Sequence, residues 1–91
     1  MKTKVQFRVL KGEVLAVFPY EIEGQTSTLC YAHLGQHSAC SNLINNWSKR
    51  ARKEEYQDLL NELLQIYSDT LIVVINRRSH DEYLKAYFNA K

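Results

Sequence analysis

Apolar and polar residues alternate at the start of the chain and settle into a helical rhythm later on. Val5, Phe7 and Val9 are separated by Gln6 and Arg8, the period of two expected of a strand with one buried face. Lys11-Gly12 supplies a tight turn, because glycine accepts positive φ. Residues 13–18 then carry Val14, Leu15, Ala16, Val17 and Phe18 without a break, so the second strand of this hairpin is the more buried one. Pro19, which has no N–H for a ladder, is expected to end it. Residues 20–26 are polar, contain Gly24 and read as a connection. In 27–33, Leu29, Tyr31 and His33 share one face, and Thr28, Cys30 and Ala32 the other. That alternation predicts a third strand, broken at Gly35.

Residues 38–47 read as a short helix capped by Ser38 or Ser41, with Leu43, Ile44 and Trp47 at helical spacing. A polar, basic segment follows over 48–53. The clearest element is a helix over 54–67, where Tyr56, Leu59, Leu60, Leu63, Leu64 and Tyr67 form one apolar stripe. Glu54 and Glu55 suit its first turn, where the helix dipole favours negative charge. Residues 71–75 are five apolar residues, four of them β-branched, the mark of a central strand covered on both faces. Ser79 and Glu82 then match a capping box, opening a last helix over 80–90 with Tyr83, Leu84, Tyr87 and Phe88 on its apolar side.

The order is β-β-β-α-α-β-α. Strands precede helices instead of alternating with them, which predicts an α+β class. The expected architecture is a four-stranded mixed or antiparallel sheet with helices packed on one face. With 91 residues, residues 1–91 make a single small globular domain. One proline and three glycines argue against a disordered chain. No apolar run reaches the length of a membrane span, and the first residues lack the apolar core of a signal peptide. A cytoplasmic protein with no membrane partner is therefore expected, its two cysteines as free thiols. The net charge of +2 is too small to name a polyanionic partner by itself.

Candidate chemistry gathers in Cys30–Cys40, where Cys30, His33, His37 and Cys40 are spaced C-x2-H-x3-H-x2-C. Thiolate and imidazole are the ligands zinc prefers. A helix places these four on one face but spreads them over about 15 Å, and a strand alternates them between faces. Zinc is therefore only a second alternative, and no cofactor is expected. A cysteine nucleophile needs an oriented histidine base. No carboxylate in the pattern orients one, and no catalytic residue is assigned. The favoured role of His33, Gln36 and His37 is to bond backbone groups where the third strand turns. Tyr31, His33, Gln36 and His37 are the recognition candidates if that corner faces a partner.

A second cluster is basic. Lys49, Arg50, Arg52 and Lys53 follow Trp47, and Arg77 and Arg78 follow the apolar strand. Cations interleaved with an aromatic can neutralise phosphates and stack on bases. The plainer role is a solvated run that complements a helix end and pairs with Glu54, Glu55 and Asp58.

The run Tyr31-Ala32-His33-Leu34-Gly35-Gln36-His37 resembles a Tyr-x-His-x-Gly-Gln-His signature of small Bacteroidetes-type bacterial and phage proteins. Phe18-Pro19 and the helix opened by Glu54-Glu55-Tyr56 are similar to that group too. The resemblance implies a bacterial, phage or mobile-element origin and a cytoplasmic protein, and carries no activity. Cys40 lies outside the signature. Taken together, the leading expectation is a non-catalytic interaction or regulatory module with a protein partner. The alternative is a nucleic-acid-binding accessory protein using segment 47–53.

Overall fold

The computed structural model describes residues 2–24, 26–32, 36–41 and 44–89. Within them β1 (Lys2–Leu10), β2 (Glu13–Gly24), β3 (Ser27–Ala32) and β4 (Gln36–Ser41) form an antiparallel meander. A 3-10 turn (Ile44–Asn46), β5 (Lys49–Arg50), α1 (Lys53–Ile66), β6 (Leu71–Val74) and α2 (His80–Asn89) follow. The fold is α+β, but the sheet holds six strands, not the expected four, in the order β4-β3-β2-β1-β5, with β6 also paired to β1.

β1 is the strand that the others are built on. Lys11 and Gly12 both have positive φ, 51° and 81°, the conformation of a two-residue hairpin turn that follows the twist of its strands. The other edge of β1 is shared. β5 pairs antiparallel through Arg8↔Arg50 and Val9↔Lys49, and β6 pairs parallel from Lys2↔Leu71 to Val5↔Val74. Between them, the Ala51 amide donates to the Phe7 carbonyl and the Ile75 amide to the Val5 carbonyl, each at 2.9 Å.

The odd-numbered side chains of β1 and their neighbours face α1. Val5, Phe7, Ala16, Phe18, Tyr31, Leu59 and Leu63 are all buried there. The Phe7 and Tyr56 rings stack at 4.3 Å with an interplanar angle of 6°, adding about 0.5–1.5 kcal/mol beyond area burial. The helical stripe holds except at Leu64, which is 47% exposed. The other face carries a smaller cluster of Val17, Cys30 and Ile44, flanked by Leu10 and Cys40. α2 is tied to even-numbered residues, through Lys4 to Glu82 at 2.7 Å and through Gln6 to the Asn76 carbonyl at 3.2 Å just before it. The two helices therefore do not share the single face the sequence pattern predicts.

Four local expectations are corrected. Pro19 does not end β2. It is buried inside a strand that runs to Gly24, at a register shift between Phe18 and Ile22, and a bulge spares it a ladder partner. The helix expected over 38–47 is β4 followed by a 3-10 turn. Ser38, Ala39 and Ser41 are small and weakly patterned, and pairing along the edge of β3 satisfies backbone groups that no local pattern reveals. β6 is not a central strand. β1 is its sole partner among the described residues, and Leu71 is 59% exposed. The capping box at α2 is half formed: the Glu82 amide donates to Ser79 Oγ at 3.3 Å, but the Glu82 carboxylate accepts from Lys4 instead.

Candidate functional site

The segment around residues 30–40 splits between the two faces of the sheet. Tyr31 pairs across the ladder with His37, and both belong to the α1 side. Tyr31 is buried, at 1% exposure. The His37 ring lies 4.6 Å from the Tyr31 ring, and its Nε2 is 2.8 Å from Tyr67 Oη at the end of α1. Burial, and then the charge of Glu21, raise the Tyr67 phenol above its ordinary pKa. His37 thus joins β4 to α1 through the Tyr67 hydroxyl, a side-chain contact and not the backbone contact expected of it. His33 lies outside the described residues. Gln36 pairs with Ala32 through β4.

Cys30 and Cys40 point to the opposite face, among Val17, Leu10 and Ile44. Both are free thiols. Cys40 packs against the cluster that holds Cys30, and Ser38 Oγ lies 3.4 Å from the Cys30 sulfur. These contacts outweigh burial and lower the Cys30 thiol from 9.0 to about 6. Its neighbour Cys30 and burial push Cys40 up. Among the described members of the pattern, His37 lies on one face and the two thiols on the other, so these three do not converge. No cluster of three His, Cys, Asp or Glu forms a metal-binding group among the described residues.

The basic residues come together at the β5 end of the sheet. Trp47, Lys49, Arg50 and Arg52 line an open cleft of about 650 Å³, joined by Lys11 from the first hairpin and Glu55 from α1. Trp47 is 60% exposed. Arg52 is partly neutralised: its Nε lies 3.2 Å from Glu55 and 3.6 Å from Glu54. Lys53, the first residue of α1, is exposed and outside the lining. Glu54 and Glu55 occupy the favourable first turn, as expected.

Arg50 also lines a second cleft of about 730 Å³, with Gln6, Arg8, Asn76 and both Arg77 and Arg78. Here the fold brings together residues some seventy positions apart. Gln6 sits at 2% exposure and donates to the Asn76 carbonyl, while Asn45 donates to Gln6 Oε1 at 3.4 Å. Arg8 secures the 3-10 turn. Its Nε donates to Ser48 Oγ at 2.9 Å, and Nη2 to the carbonyls of Asn45 and Ser48 at 3.2 and 2.6 Å. Burial, and then the charge of Arg50, lower the Arg8 pKa. The Arg78 guanidinium lies over the Tyr83 ring at 4.2 Å. The side chains of Arg50 and Arg77 are exposed and have no hydrogen-bond or ion-pair partner among the described residues.

Sequence reasoning missed Arg8, Lys11 and Gln6. A cation in the alternating first strand was a visible signal for Arg8, but that it pairs with Arg50 is a matter of register. The chain matches no family model, no curated protein and no solved structure. No helix among the described residues is long and apolar enough to cross a membrane.

Proposed function

We propose that the β5 edge binds single-stranded nucleic acid, bases stacking on Trp47 and phosphates meeting Lys11, Lys49, Arg50 and Arg52. The observation that carries this reading is the exposed indole set among cations at the rim of a cleft. Tryptophan is enriched at interfaces, where its apolar ring is covered while its N–H keeps a polar partner. Every base offers a π-face, so stacking plus charge binds strands with little sequence preference. The corner at Tyr31 and His37 offers less, since Tyr31 is buried and His37 is engaged with Tyr67.

Fluorescence anisotropy of an internally labelled mixed-sequence 12-mer, titrated from low to moderate salt, tests the proposal. Three to five neutralised phosphates predict a slope of log K against log salt of about −2 to −3.5. Trp47→Ala is expected to weaken binding by about 5- to 150-fold, the worth of one stacked base. Absence of binding at low salt would refute the reading, and so would a Trp47→Ala variant that binds as wild type does.

A further inference from the structure

The second cleft is chemically unlike the first. It has no exposed aromatic platform and no carboxylate in its lining among the described residues, yet several guanidinium groups address it. Arg8 and Arg50 are direct cross-strand partners, so their side chains leave the sheet on the same face. Like charges placed opposite one another destabilise a ladder; burial first, and then the Arg50 charge, lower the Arg8 pKa. Arg77 arrives on a segment anchored beside them by the Gln6–Asn76 bond. With Arg8 spent on Ser48 and Asn45, and Arg78 on Tyr83, Arg50 and Arg77 are the groups that face a ligand.

We propose that this arginine cleft is a subsite for the terminal phosphate of a bound strand. A planar guanidinium pairs two N–H groups with two phosphate oxygens. A phosphomonoester carries about −1.5 to −2 charges, against one for an internal diester, and so relieves the opposed cations best. Arg50 belongs to both clefts, so a strand stacked on Trp47 can turn around β5 and place its end beside Arg77. The inference rests on the single-strand reading.

The test uses one oligonucleotide, internally labelled, with a 5′-phosphate, a 3′-phosphate or hydroxyls at both ends. One phosphorylated form is expected to bind wild type at least about tenfold more tightly than the hydroxyl form, a difference of about 1.4 kcal/mol. In Arg77→Ala that ratio should fall below about twofold, whereas Trp47→Ala should weaken every form and preserve the ratio. Equal binding of the three forms overturns the terminal-phosphate subsite and leaves the single-strand reading standing. So does a phosphate preference that persists in Arg77→Ala. If no form binds, the single-strand reading falls and the subsite with it.

Discussion

Replacing Arg8 with methionine asks whether one side chain holds the β5 edge in place. The guanidinium makes three hydrogen bonds, to Ser48 Oγ at 2.9 Å, the Asn45 carbonyl at 3.2 Å and the Ser48 carbonyl at 2.6 Å. Methionine keeps the length and the apolar stem and removes all three donors. Hydrogen bonds from a charged group contribute about 1.5–3 kcal/mol each when protected from water. This site is only partly buried, and both carbonyls can regain water when the 3-10 turn loosens. Removing the Arg8–Arg50 repulsion returns some stability as well. The expected net loss is therefore about 2–4 kcal/mol, below the simple sum of three bonds. For a domain of this length that lowers Tm by roughly 10–25 °C. Urea unfolding followed by circular dichroism measures it, and the m-value should stay constant. Ser48→Ala removes one of the three acceptors, so the double variant should fall short of additivity by about 0.5 kcal/mol or more. A loss under about 0.5 kcal/mol in Arg8→Met, the range of an ordinary surface change, would refute the view that Arg8 holds the turn.

Two further outcomes test other contacts. Tyr67→Phe removes the hydroxyl that meets His37 at 2.8 Å and should cost about 0.5–1.5 kcal/mol; an unchanged urea midpoint would show that the histidine is not a brace. Cys30 is the other. Its folded pKa, about 6, lies below its ordinary value of 9.0, so from pH 6 to 9 the unfolded chain holds a proton that the folded one has released. Stability should therefore rise with pH across that window and be lost as pH falls through about 6. Cys40, shifted the other way, keeps its proton throughout. Under reducing conditions Cys30→Ala should flatten the rise seen in wild type, and parallel pH profiles for the two proteins would count against the thiol contact.

Periodicity located β1, the Lys11-Gly12 turn, α1 and α2 because each is a local pattern. Alternation, positive φ at glycine and the 3.6-residue stripe are properties of neighbours in the chain. The α+β class followed from their order. It could not place β4 or the edge position of β6, since a strand's partner lies elsewhere in the chain and a continuous apolar run looks the same at a sheet's centre or its rim. The basic residues of 47–53 were visible as a cluster, and so were Arg77 and Arg78. That Arg50 stands opposite Arg8, with Arg77 beside both, was decided by ladder register and by the buried Gln6 amide that pins Asn76. Likewise Cys30, His33, His37 and Cys40 are spaced like zinc ligands, a second alternative in the sequence, while the pleat of β3 and β4 sends the His37 imidazole to one face and the thiols to the other. Sequence specifies what a residue can do; pairing across the sheet decides which residues act together, because their contacts form only when distant segments meet.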